Sequence, residues 1–264
     1  MNEIEVGKYW NNNAHTWTIL SRAGYDIYRD YLNTPSFFEI LPDIKGKKGI
    51  DIGCGEGHNT RLLADQGAIV EAIDIAPLFI ENAKALEKEH PLGINYSLAS
   101  ATHLPFQNQT FDFATSFMCL MDIPDQEMVL KEVFRVLKSG GFFQFSIEHP
   151  CFKTPHLKKV KTLAGKTYAF EIGGYFSETN GKIEEWIFGD APTGTKHKFS
   201  KFKVPNFHKT LSFWMNSIIK SGFSIEQVLE PYPGGNILRD KPSMHGASIV
   251  AYFLHIRCRK PQKF

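Results

Sequence analysis

Between Lys48 and Asn59 the chain runs from the apolar segment Gly49-Ile50-Asp51-Ile52 into Gly53-Cys54-Gly55-Glu56-Gly57 and then into a helical pattern. No other stretch restricts the possible folds so strongly. Glycine accepts positive φ and lets a backbone approach its neighbour with no Cβ between them. A strand, a glycine turn and a helix in succession form the opening unit of a doubly wound α/β sheet, with the turn at the carboxyl end of the strand, where such sheets hold ligands. The spacing here is G-x-G-x-G. The dinucleotide fingerprint is G-x-G-x-x-G, whose third glycine lets the helix pack close behind a pyrophosphate, so the spacing argues against NAD.

The surrounding sequence keeps the rhythm that this unit demands. From 49 to 145, short apolar runs alternate with amphipathic stretches of helical length, as βαβ units require. The pattern predicts strands over 48–53, 69–74, 94–99, 111–117 and 141–147, and helices over 59–66, 77–89 and 126–137, the last ended by Lys138-Ser139-Gly140-Gly141. Asp74 closes the second strand, roughly 20 residues past the loop. There a carboxylate can face the crevice and accept from both hydroxyls of a ribose, which points to a nucleoside-containing ligand; it could also cap the helix before Pro77.

The chain has 264 residues, and at roughly 100–200 residues per domain that leaves sizeable flanks around one α/β domain. Residues 1–44 show no strand pattern but carry Tyr9, Trp10, Trp17, Tyr25, Tyr28 and Tyr31 at helical spacings, which predicts helices laid over the domain edge, with 1–30 as a lid. Residues 151–207 hold ten lysines against five acids, a local charge of +5 in a chain whose net charge is +2. Within them, 168–177 and 182–188 read as strands joined around Asn180-Gly181, a pair that favours hairpins. An antiparallel insertion is therefore expected. After it the pattern predicts a helix over 209–220 stopped by Ser221-Gly222, strands over 223–229 and 247–256, and a loop over 231–236.

A net charge of +2 supplies no global field for a phosphate backbone, so nucleic acid is not an expected partner. Cys54, Cys119, Cys151 and Cys258 stand singly, without metal-ligand spacing, so no metal is expected. The start lacks the basic and apolar regions of a secretory signal, and the longest apolar run, 249–254, is far below the roughly 20 residues that cross a bilayer. The reading is a cytoplasmic protein with free thiols, a monomer or homodimer that makes no use of a membrane.

The chain resembles the class I S-adenosylmethionine-dependent methyltransferases, in particular the small-molecule branch similar to the quinone-biosynthesis methyltransferases. The residues that carry the resemblance are Asp51-Ile52-Gly53-Cys54-Gly55-Glu56-Gly57, Asp74, Leu104-Pro105-Phe106 followed by Phe111-Asp112, Ile123-Pro124-Asp125, and Val136-Leu137-Lys138-Ser139-Gly140-Gly141. The resemblance implies an α/β fold with a seven-stranded, mostly parallel sheet in order 3-2-1-4-5-7-6 and a reversed last strand. It divides the chain into a helical lid (1–44), a cofactor-binding domain (45–150 with 208–264) and a substrate-side cap (151–207). The implied cofactor is S-adenosylmethionine, leaving as S-adenosylhomocysteine, and the implied partner is a small-molecule methyl acceptor.

By position, the resemblance places the backbone of Gly53, Cys54 and Gly55 along the methionyl part of the cofactor, Asp74 on the ribose and Ile75 on the adenine face. Ser100, Ala101 and Thr102 fall at the adenine edge, and Phe117 and Met118 beside the amino group and the sulfonium. Two departures stand out. Family members commonly have an acidic residue at the position of Ser100, and a hydroxyl accepts less strongly than a carboxylate. The histidine-rich stretch often found before the Leu-Pro-Asp-like element is Met121-Asp122 here.

Methyl transfer from a sulfonium chiefly needs alignment and exclusion of water, and a neutral acceptor also needs a base. His149, in Glu148-His149-Pro150 beyond the fifth strand, is the first candidate and His208 the second; either could instead hydrogen-bond local backbone. The +5 insertion suits an anionic acceptor, or is simply a solvated surface. Its aromatics could wall a pocket or form its own core. The competing function is a protein of the same fold that binds the cofactor or a related nucleoside without transferring a methyl group.

Overall fold

The computed structural model describes residues 1–262. Helix α1 (Glu3–Arg22), a π-helical turn (Arg29–Asn33) and α2 (Thr34–Glu39) come first. They are followed by β1 (Lys48–Ile52), α3 (His58–Asp65), β2 (Ile69–Asp74), α4 (Pro77–Glu89), β3 (Asn95–Leu98), β4 (Phe111–Phe117), α5 (Gln126–Val136) and β5 (Leu137–Glu148). The insertion holds β6 (His156–Lys161), β7 (Thr167–Gly173), β8 (Lys182–Trp186), the short α6 (Thr193–Lys196) and β9 (Phe202–Asn206). The described chain ends with α7 (Leu211–Lys220), β10 (Ser224–Leu229), α8 (Gly235–Asp240) and β11 (Phe253–Arg259). No helix among the described residues is long and apolar enough to cross a membrane.

The main sheet has seven strands in order β3-β2-β1-β4-β5-β11-β10. The first five run parallel, and β11 is antiparallel to both of its neighbours. This is the expected 3-2-1-4-5-7-6 arrangement with a reversed last strand. Its central strands are buried along most of their length because helices cover both faces. On one face Ile50, Ile52, Phe143 and Phe145 meet Val129, Leu130 and Val133 of α5 and Trp214 and Ile218 of α7. On the other, Val70, Ala72 and Phe113 meet Leu63 of α3 and Ile80 and Ala83 of α4. Gly49 must be a glycine there, since a Cβ would lie 2.1 Å from the Phe113 ring.

The insertion is antiparallel as expected, but its pairing is not the expected one. The runs over 168–177 and 182–188 do form β7 and β8, yet β7 pairs with β6 and β8 with β9, giving two separate ribbons. Asn180 and Gly181 take the positive φ of a tight turn, 49° and 84°. The turn is fastened by the Thr179 hydroxyl, which donates to the Asn206 carbonyl at 2.6 Å, and by the Gly181 amide on the same carbonyl at 2.9 Å. It therefore starts a ribbon with β9 rather than joining β7 to β8. The strand expected over 247–256 begins only at Phe253, because Pro242–Ser248 forms a 3₁₀ helix whose Met244 and Ala247 bury against Ile27 and Leu32. Part of the loop expected over 231–236 belongs to α8.

Helix α1 and the insertion are fastened to each other. Asn13 donates to the Lys203 carbonyl at 2.9 Å and accepts from the Lys203 amide at 3.0 Å, so one side chain completes the outer edge of β9. Trp17 has its ring centroid 5.0 Å from that of Phe188, 4.9 Å from Phe202 and 5.6 Å from Trp186. The aromatic residues that looked like two separate coverings form one cluster over the carboxyl edge of the sheet.

Candidate ligand cavity

Under that cluster, at the carboxyl ends of β1, β2 and β4, lies a cavity of about 900 Å³. Its floor is the glycine turn, with φ of 70° at Gly53, 55° at Gly55 and 90° at Gly57. A Cβ on Gly53 would fall 2.1 Å from the Cys119 sulfur, whereas around Gly55 nothing lies within 4 Å and the backbone is open. The Gly53 and Cys54 amides both donate to the Ile73 carbonyl at 2.9 Å, and the Gly55 amide to Asp74 Oδ2 at 2.9 Å. With these three donors used inside the fold, the loop is not an anion-binding nest of the pyrophosphate kind. It offers close backbone approach instead.

Two buried carboxylates brace the loop. Asp51 accepts from Thr60 at the start of α3 at 2.6 Å and from Thr115 on β4 at 2.9 Å, tying three elements together beneath the turn. Asp74 accepts from the Gly55 and Ala76 amides, each at 2.9 Å, and lines the cavity. Burial pushes both carboxyls up to about 6. Helix α4 begins from Ala76 with no side-chain cap, so Asp74 braces the turns on either side of it and does not cap the helix.

Beyond Asp74 the wall is formed by Ile75, Phe79, Ser100 and Ala101, and by a residue the sequence did not suggest. Glu3, in the first turn of α1, accepts from the Ser100 hydroxyl at 2.7 Å and from the Thr102 hydroxyl at 2.6 Å. A capping box between Asn2 and Glu5 fixes that turn. So a carboxylate does stand at this edge, delivered by α1 rather than by the loop after β3. Thr102 itself does not line the cavity. Nearby, Arg29 reaches the wall while held by Asp30 at 2.7 Å and Glu56 at 3.5 Å.

Past Phe117 and Met118, the latter at a φ of 50°, the cavity continues to Asp122, Glu148, Phe152, Lys153 and Glu184. Lys153 lies 3.0 Å from Glu184 and 3.9 Å from Glu148. Burial pushes the Asp122 and Glu148 carboxyls upward, and for Asp122 the neighbouring Glu148 and Glu184 add to the rise. The basic excess of the insertion is elsewhere: Lys158, Lys161, Lys166, Lys182 and Lys201 are exposed and outside the cavity, while Glu184, Glu185 and Asp190 line it. The exposed lysines form a solvated outer surface, while on the inner wall the three acids stand beside Lys153 and Lys159.

Neither candidate histidine lines this space. His149 is buried behind the strand end, with Nδ1 accepting from the Cys151 amide at 3.2 Å and Nε2 2.7 Å from Glu230. Its Nε2 therefore carries the proton and donates to Glu230. His208 donates from Nε2 to the Tyr175 carbonyl at 2.8 Å and borders a separate small cleft. Both rings make the local structural bonds that were the alternative to a catalytic role. Of the other foreseen residues, Gly53, Cys54, Gly55, Asp74, Ile75, Ser100, Ala101, Phe117 and Met118 all meet in the one cavity. Among the described residues no group of three or more histidine, cysteine, aspartate or glutamate side chains is placed to hold a metal ion.

Residues 50–145 match the family model described as a methyltransferase domain. An uncharacterized protein of Haemophilus influenzae is 28% identical over 259 residues, 92% of each chain. The ubiquinone biosynthesis O-methyltransferase of Coxiella burnetii is 33% identical over 136 residues, 52% of this chain and 56% of that one, so the match spans only about half of that relative. Among solved structures, an S-adenosylmethionine-dependent methyltransferase from Mesorhizobium loti superposes with a TM-score of 0.70 at 26% identity, over 85% of this chain and 96% of the other.

Proposed function

We propose that this chain, which is a class I S-adenosylmethionine-dependent methyltransferase, passes the methyl group to a small-molecule acceptor lodged beneath the inserted ribbons, by in-line displacement. The supporting observation is the continuity of a single cavity, from Glu3 and Ile75 past Met118 to Asp122 and Glu184. The bound cofactor supplies a methyl group already activated on a sulfonium. The chain's own residues hold and orient it.

In this reading Asp74 takes the ribose hydroxyls, Ile75 packs on the adenine face, and Ser100 and Ala101 with Glu3 bound the adenine edge, with Thr102 acting through Glu3. The open backbone at Gly53, Cys54 and Gly55 runs along the methionyl chain, Arg29 faces its carboxylate, and Phe117 and Met118 flank the sulfur. Residues 1–44 serve as the lid and 151–207 as the substrate-side cap. With His149 and His208 outside the cavity wall, catalysis relies on alignment and on exclusion of water by the roof. The four free thiols suit a reducing, cytoplasmic setting.

Calorimetry with S-adenosylhomocysteine, followed by turnover assays on a panel of small acceptors, tests the reading. Micromolar binding with methyl transfer to at least one acceptor is the expected result. Binding without any turnover would leave a cofactor-binding protein, and tighter binding of NAD than of S-adenosylhomocysteine would sink the assignment.

A further inference from the structure

The far end of the cavity holds three carboxyl groups and one lysine. Lys153 is engaged by Glu184 and Glu148, at 3.0 Å and 3.9 Å, and its ammonium group is held charged chiefly by Glu148. That leaves Asp122, on the short 3₁₀ turn Leu120–Asp122 after β4. Asp122 is only 7% exposed, its side chain has no hydrogen-bond partner among the described residues, and it borders the cavity. A carboxyl group so enclosed costs free energy unless something pairs with it. The charged groups that face it are Glu148 at the end of β5, Glu184 on β8 and Lys153 between them. Three carboxyl groups thus stand against one lysine, and the other lysine on this wall, Lys159, is not among the charged groups that act on Asp122.

We propose that the acceptor is an organic molecule that carries an ammonium group, seated between Asp122 and the Glu148–Lys153–Glu184 group with its apolar body against the aromatic walls; the charged nitrogen, which has no lone pair, anchors the acceptor and is not the atom that takes the methyl group. The proposal rests on the methyltransferase reading of the same cavity. Three observations choose this occupant. Among the described residues the carboxyl groups do not converge as metal ligands would, which favours an organic cation over a metal ion. The part of the cap that faces inward carries Glu184, Glu185 and Asp190 against Lys153 and Lys159, so the +5 charge of the insertion as a whole is not turned to the cavity, which disfavours an anionic acceptor. Phe152, Phe170, Trp186, Phe188 and Tyr252 border the same space, and aromatic faces attract an ammonium group while burying an apolar body. An ammonium in this site makes charge-assisted hydrogen bonds that a neutral isostere cannot.

Ligand-observed NMR titrations of the protein loaded with S-adenosylhomocysteine test this, using phenethylamine, 2-phenylethanol and 3-phenylpropanoate as probes of similar size. The ammonium probe should bind at least about tenfold tighter than the alcohol, and the carboxylate weakest of the three. Asp122→Asn and Glu184→Gln should each abolish that preference while leaving the alcohol unchanged. Because Glu184 is half-buried on the cap, its variant reports even if Asp122→Asn fails to fold. Equal affinities for the three probes, no ammonium binding, or an ammonium preference that survives in both variants would overturn the proposal. If S-adenosylhomocysteine itself does not bind, the underlying methyltransferase reading fails first; if it binds normally and the ammonium shows no preference, only the acceptor class is wrong.

Discussion

The two ends of the cavity are made by different means. At the end proposed for the cofactor, floor and side are local structures: Gly53 to Gly57 form the floor, Asp74 and Ile75 the side, and their positions follow from backbone conformation and strand ends, with Glu3 added from α1. The end proposed for the acceptor is built by four side chains from three distant places, Asp122 after β4, Glu148 and Lys153 around the end of β5, and Glu184 on β8. A site made of local backbone is robust to changes elsewhere and leaves a recognisable string of residues. A site made by convergence depends on whatever holds the distant segments together, which here is the aromatic cluster shared by α1 and the insertion.

Trp17→Ala should therefore have the largest effect, since it removes the ring on which Trp186, Phe188 and Phe202 pack. A loss of about 3 kcal/mol in unfolding free energy is expected, with faster proteolysis within 156–206 than within the sheet; equal protease resistance would mean that the two coverings are independent. Asp74→Ala acts at the other end. It should weaken S-adenosylhomocysteine by about 2–3 kcal/mol, roughly 30- to 150-fold, through loss of charge-assisted hydrogen bonds, and calorimetry on a variant that keeps its Tm reads this directly.

The same carboxyl sets a pH dependence. Burial holds it near 6, above its ordinary value, and in the proposed reading ribose hydroxyls donate to the ionised form. Binding must then expel the proton at low pH, so affinity should be steady above pH 7 and fall about tenfold by pH 5. An affinity flat across that range would remove Asp74 from the ribose. Glu3→Gln should cost less, about 1 kcal/mol or fivefold in cofactor affinity; an unchanged value would confine α1 to covering the acceptor end. His149→Ala should change least, with turnover within about threefold once the loss of thermal stability is allowed for. A fall of the 10²- to 10⁴-fold expected for a general base would restore the histidine to the reaction.

How legible each part was follows from the same contrast. Strands 69–74 and 111–117 and the helix 77–89 were read to the residue, because strands covered on both faces must be apolar throughout and a proline marks the helix start. The Asn180-Gly181 turn was legible from its own chemistry. Its partner strand was not, since that choice is made by Thr179 and Asn206, far apart in the chain. The apolar run from Ala247 reads as strand until Met244 and Ala247 are seen to pack under the lid as a 3₁₀ helix. Glu3 gave no signal at all: nothing near it in sequence tells that Ser100 will come to hydrogen-bond it. The histidines misled for a related reason, because position along the chain located the end of β5 but not the side to which the His149 ring turns.

The bonds between Asn13 and Lys203, with the Trp17 cluster beside them, have a kinetic consequence. Helix α1 and the inserted ribbons are riveted into one piece, so in the proposed roles of lid and cap neither could swing without the other. Both reactants must then enter, and both products leave, during the same opening events. The frequency of those openings sets a ceiling on the catalytic cycle, and loosening the rivet by Asn13→Ala would speed product escape while letting in the water that the closed roof keeps out.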